Sequence, residues 1–108
     1  MAETLKVLGQ SAPSADTDTT LYTVPSTTST AVSGLVICNR STAAKFRVAI
    51  RPAGAALANQ HYQCYDTDIA ANDTISILAG ITLATTDVVT IRGNTANLSF
   101  SLYGAEVT

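Results

Sequence analysis

The segment Lys45-Phe46-Arg47-Val48-Ala49-Ile50-Arg51 alternates strictly between apolar and polar side chains, with Phe46, Val48 and Ile50 on one side and Lys45, Arg47 and Arg51 on the other. A period of two is what a strand buried on one face requires, because successive side chains leave a sheet in opposite directions. Similar short runs recur from Thr20 to Val107. Almost none of their residues can do chemistry. The pattern constrains architecture far more than catalysis.

Along the chain, residues 4–8 alternate and read as a strand or an arm, and residues 9–19 are small, polar and interrupted by Pro13, which gives no face to bury. Leu21-Tyr22-Thr23-Val24 reads as a short strand stopped by Pro25, which lacks the N–H that a central ladder would use. Gly34-Leu35-Val36-Ile37-Cys38 is a continuous apolar run, short and β-branched, as in a strand covered on both faces. Asn39-Arg40-Ser41-Thr42 is expected to turn it into the 45–51 strand as a hairpin. The Ala-rich stretch 53–59 is the one place where a helical turn is expected. Further strands are expected around residues 61–66, 74–77, 88–91 and 96–107.

Strands every 10 to 12 residues, separated by Gly, Pro, Asn and Asp, predict an all-β fold: an antiparallel β-sandwich or jelly-roll-like barrel of about seven or eight strands. Residues 1–19 are expected to form an N-terminal arm and linker, and residues 20–108 the sandwich domain. Phe46, Ile50, Ile77, Val89, Phe100 and Leu102 are the expected core residues. Each would contribute on the order of 1.5–3 kcal/mol on burial.

Composition narrows the function classes. Charged residues are only 13% of the chain, about half the usual share, and Thr, Ser and Ala take their place. Such a surface is poorly protected against association and suits a protein covered by partners or by copies of itself. The net charge of −2 gives no basic excess, so no nucleic-acid partner is expected. No apolar stretch is long enough to span a bilayer as a helix, and no membrane partner is expected. The first residues carry no apolar signal region, so synthesis in a cytoplasm is expected. There, Cys38 and Cys64 read as buried thiols, since a disulfide would need their Cα atoms within about 7 Å.

Candidate sites are few. His61 is the only histidine; it reads as an exposed structural residue lying opposite Asp66 by strand parity. Asp66, Asp68 and Asp73 read as turn caps. There is no nucleophile elbow, no phosphate-binding glycine loop and no zinc-ligand spacing. No enzyme activity, cofactor or metal is therefore expected. Three Asn-x-Ser/Thr triplets, at Asn39, Asn72 and Asn97, read as turn residues. The one charge cluster with geometric sense is Arg40, Lys45, Arg47 and Arg51, the candidate partner-binding residues. It reads either as a solvated outer face that discourages edge pairing or as a patch for an acidic partner. Tyr22, Tyr62, Tyr65 and Tyr103 would offer a stacking surface for sugars only if clustered.

Leu21-Tyr22-Thr23-Val24-Pro25, followed by Val32-Ser33-Gly34-Leu35-Val36-Ile37-Cys38-Asn39-Arg40-Ser41 and by Phe46-Arg47-Val48-Ala49-Ile50, resembles a group of small structural proteins of tailed bacteriophages. Ile69-Ala70-Ala71-Asn72-Asp73-Thr74, the segment 80–89 and Leu98-Ser99-Phe100-Ser101-Leu102-Tyr103-Gly104 extend the likeness over about residues 4–106. Thr86 stands where such sequences often carry a glycine before the Asp, so a different turn is expected there. The resemblance implies a non-enzymatic β-sandwich component of the virion, a decoration or cement protein outside the head shell. It implies a homotrimer with the major capsid protein or other virion proteins as partners. A tail, neck or fibre component is the alternative, and a carbohydrate-binding module a second.

Overall fold

The computed structural model describes residues 2–108. Among these, nine strands run β1 (Glu3–Ser11), β2 (Thr19–Thr23), β3 (Ser29–Asn39), β4 (Ala44–Arg51), β5 (Tyr62–Ile69), β6 (Thr74–Ile77), β7 (Ile81–Leu83), β8 (Val88–Gly93) and β9 (Leu98–Val107). All pairing is antiparallel, in two sheets packed face to face. The first is five-stranded, in the order β1-β9-β3-β6 with β7 also on β3; the second is four-stranded, β2-β8-β4-β5. The expected all-β sandwich is the fold.

The inner faces are the alternate apolar residues. Phe46, Val48, Val89 and Ile91 of the four-stranded sheet meet Leu35, Ile37, Leu98, Phe100 and Leu102 of the five-stranded one. Phe46 and Phe100 meet edge to face across the two sheets, their ring centroids 6.4 Å apart. Four of the six expected core residues are fully buried; Ile50 and Ile77 pack against the core only in part. Ile77 is last in β6, the short outermost strand of its sheet.

Several expectations are corrected. The expected hairpin of residues 31–39 with 45–51 is absent: β3 and β4 lie in different sheets, and the Asn39 turn carries the chain from one sheet to the other. Asn39 is buried there, donating from Nδ2 to the Thr42 and Ala70 carbonyls at 2.8 and 3.1 Å and accepting from the Ser41 N–H. The supposed N-terminal arm is, over Glu3–Ser11, an edge strand paired along β9. A register shift between Val7 and Gly9 bends β1 back over the sandwich toward β2. Gly9 is what permits this, since a Cβ there would sit 2.2 Å from the Leu21 carbonyl oxygen. The helical turn expected in the Ala-rich stretch is present, as two single 3₁₀ turns, Pro52–Gly54 and Asn59–His61, with irregular backbone between. Thr86 takes a φ of 68°, a left-handed conformation that glycine enters without strain. The turn is held by the Thr86 N–H on the Val24 carbonyl and by the Asp87 carboxylate, which accepts from the N–H groups of Ala53 and Ala84.

One polar network joins the sheets at one end of the core. The Tyr22 hydroxyl on β2 donates to Glu106 Oε2 of β9 at 2.5 Å and lies 2.8 Å from the buried Thr30 hydroxyl of β3. Lys6 of β1 donates to Glu106 Oε1 at 3.2 Å. Burial, then the Glu106 carboxylate, pushes the Tyr22 hydroxyl up to about 12. The Tyr22 hydroxyl, then Lys6, hold Glu106 below its usual value. The raised tyrosine contributes stability that is complete below about pH 10 and lost as pH climbs toward 12. The lowered carboxylate contributes stability that is complete above its ordinary value and lost as pH falls through its folded value. Tyr22→Phe is therefore expected to cost on the order of 2 kcal/mol at neutral pH. It should also shrink both the acid and the alkaline losses, as read by urea unfolding across pH.

Candidate functional site

β4 carries three of the four expected partner-binding cations on the outer face of the four-stranded sheet, because its alternation turns Phe46 and Val48 inward. None of the three is free. Lys45 Nζ donates to Asp68 Oδ1 at 2.6 Å. Arg47 grips Asp66 with two bonds, Nε to Oδ1 at 2.7 Å and Nη2 to Oδ2 at 3.3 Å. Arg51 donates to the Thr90 hydroxyl at 3.0 Å and to the Ala55 carbonyl at 3.1 Å. Arg40 is elsewhere, at the end of β3 in the other sheet, where it donates to the Ser99 hydroxyl and the Ala96 carbonyl. The sequence cluster is thus split between the two sheets.

The acidic partners come from β5, and sequence reasoning assigned them to turns. Its register slips twice against β4, between the pairs at Phe46 and Val48 and again between Val48 and Ala49. Each slip inserts an extra residue, and Asp66 sits at the first with a φ of 50°. Strand parity fails across such bulges, so Asp66 and Tyr65 both reach Arg47. The Arg47 guanidinium carbon lies 4.1 Å from the Tyr65 ring centroid, and Tyr62 meets Tyr65 nearly at right angles, 4.8 Å between centroids. Arg92 of β8 and Asp18 add an outlying pair at 3.5 Å.

The electrostatics are those of a self-compensating face. Arg47 chiefly, with Lys45 and Arg92 behind it, holds Asp66 below the usual carboxylate value. Asp68 raises Lys45, and Asp66 raises Arg47. A face that satisfies its own charges has little left to offer an acidic partner. It does blunt the β5 edge against pairing with another strand.

The remaining candidates are structural. His61 is buried, at 7% exposure, rather than exposed, and its Nδ1 accepts from the Ala58 N–H inside its own 3₁₀ turn. Asp73 is a turn cap as expected, accepting from the Thr74 N–H. Among the described residues, no three His, Cys, Asp or Glu side chains group as metal ligands. Cys38 and Cys64 are free thiols on different sheets, and partial burial pushes the Cys64 thiol up. Of the four tyrosines, Tyr62 and Tyr65 do cluster, with Asn59, around an open hollow. Tyr22 is buried in the inter-sheet network and Tyr103 lies on the other sheet.

No family model, curated protein or solved structure matches the chain.

Arg47→Ala is expected to let the Asp66 carboxyl climb back toward its ordinary value, followed by carboxyl NMR titration, with little change in unfolding midpoint. A large loss of stability would mean that the guanidinium supports the fold and not just the charge balance of this face.

Proposed function

We propose that this chain is a non-enzymatic structural protein of a tailed-phage virion, a decoration or cement protein that stabilises the head shell through contacts with its own copies and with the shell. The observation that carries the reading is the division of the sandwich into two unlike faces. The outer face of the four-stranded sheet neutralises its own charges. The outer face of the five-stranded sheet is almost free of charge and leaves Leu5 and Val7 exposed. The likeness of residues 4–106 to small phage structural proteins supports the same reading. A sheet face with few charges is suited to permanent burial against other polypeptides.

A cement protein acts by mass action. Binding the assembled shell but not free shell subunits shifts the equilibrium toward the shell, and the effect grows with every site filled. An adapter in the tail, neck or fibre would use the same sandwich at low copy number. Imaging of purified particles separates these. Copies numbering in the hundreds on the outside of the head are expected, and a handful at one vertex would move the assignment to the tail or neck.

The Tyr62–Tyr65 pair beside Asn59 favours a second reading, a sugar-binding module, since pyranose rings stack on exposed aromatic faces. Glycan-array binding that Tyr65→Ala abolishes would establish it. The cement reading expects no bound glycan.

A further inference from the structure

The outer face of the five-stranded sheet has a definite layout. Register places Glu3, Leu5 and Val7 of β1 beside Val107, Ala105 and Tyr103 of β9. On β3 the same face carries Ala31, Val36 and Cys38, opposite Ala105, Ser101 and Ser99. Leu5 is 79% exposed, Val7 55% and Tyr103 38%. The hydroxyl end of the Tyr103 ring lies over Gly34, where a Cβ would come within 3.0 Å of its hydroxyl oxygen. Val7 and Tyr103 are direct register partners at the middle of β1. Among the described residues, the charges nearest this face stand at its ends, Glu3 at one, and Arg40 with the turn residue Asp73 at the other. Glu3 stands at the end where β9 finishes, and Arg40, bonded to Ser99 and Ala96, stands at the end where β9 begins.

We propose that this face docks a second copy of the same chain, packed antiparallel about a two-fold axis that passes near Val7 and Tyr103. An isologous contact sets each group against its own surroundings, so it tolerates an uncharged centre and requires opposite charges at opposite ends. Here reversal of the strand direction brings Glu3 of each copy to the end that carries Arg40 of the other. A parallel arrangement around a three-fold axis would crowd like charges together at both ends. The two-fold packing therefore replaces the trimer implied by the resemblance.

Four strand rows about 4.8 Å apart and about 30 Å long, the fourth made of β6 and β7 end to end along β3, offer roughly 600 Å² of face. That approaches the ~800 Å² per partner of a standard stable interface. Val7 and Tyr103 form an apolar centre, and Glu3 and Arg40 place opposite charges at the two ends of its rim, which is the usual anatomy of a lasting contact. β1 adds to this as an edge with little protection. β2 is short and followed by Pro25, β5 is bulged and charged, and β6 and β7 hold four and three residues.

The inference deepens the proposed reading by naming the partner as a second copy, and it rests on that reading for where such a dimer serves. Its test needs no particle. Light scattering of the purified chain is expected to give twice the 11.2 kDa mass. Val7→Lys, on an exposed strand position, should give a monomer, and Ala56→Lys in the loop beside the other sheet should leave the dimer intact. Glu3→Lys and Arg40→Glu should each weaken dimerisation by at least about tenfold, and the two together should restore most of it. A monomeric or trimeric wild type, or a dimer indifferent to Val7→Lys, would overturn the inference. So would a double reversal no better than either single one. A monomer that loses shell binding on Val7→Lys would also overturn it, giving the face to the shell and leaving the virion reading standing.

Discussion

The edge-to-face contact of Phe46 with Phe100 marks the line along which the two sheets close, and most of the molecule follows from keeping that line dry. Each ring comes from the inner face of a strand near the middle of its sheet, β4 in one and β9 in the other. Burying both fixes the parity of two central strands at once, because a slip of one residue would send every inward side chain to solvent. β3, β8 and the edge strands then have only to match a register already set. The two rings lie in a continuous cluster of buried apolar residues from both sheets.

Polar groups are accordingly moved to the ends of the core, and there each has a partner. Asn39 closes one end by holding the turn after β3 to the turn after β5, and the Tyr22–Glu106–Thr30 network closes the other. Among the described residues, no buried side-chain nitrogen or oxygen lacks a hydrogen-bond partner. These ends join segments of both sheets, a task that ladder hydrogen bonds, confined to one sheet, cannot perform. The Asn-x-Ser/Thr triplet at Asn39 illustrates the difference between a motif and its setting. Its side chain is spent inside the fold, and no acceptor for modification is presented.

How far the chain could be read in advance depended on whether local periodicity survived folding. β4 was legible residue by residue, since it pairs with β8 without a register shift and turns Phe46, Val48 and Ile50 to one side. β5 was not. Its two extra residues put Tyr62 and Tyr65 in contact and bring Asp66 to Arg47, and nothing in His-Tyr-Gln-Cys-Tyr-Asp announces a bulge. The weak alternation of residues 4–8 left strand and arm equally open, because an edge strand with one solvated side buries too little to sharpen the pattern. Strand order lay beyond reach for a simpler reason. Periodicity assigns a residue to a face and says nothing about its neighbours, so the crossing from β3 to β4 looked like a hairpin.

The unequal treatment of the two outer faces is a statement about energetics. Ion pairs at an exposed surface contribute little to stability, so Lys45–Asp68 and Arg47–Asp66 are not what holds the sandwich together. Their effect is on association: a face that has satisfied its own charges and carries a bulged, charged edge offers no template to another strand. The other sheet has none of these devices across its middle, and its longest edge strand turns Leu5 and Val7 to solvent. In a chain with so few charges, leaving the middle of one sheet's outer face without them makes that face the least costly surface to dehydrate. Association through it requires no breaking of salt bridges and leaves the charged face in water. In the proposed dimer the outer face of the five-stranded sheet is turned inward and the Arg47–Tyr65 corner outward.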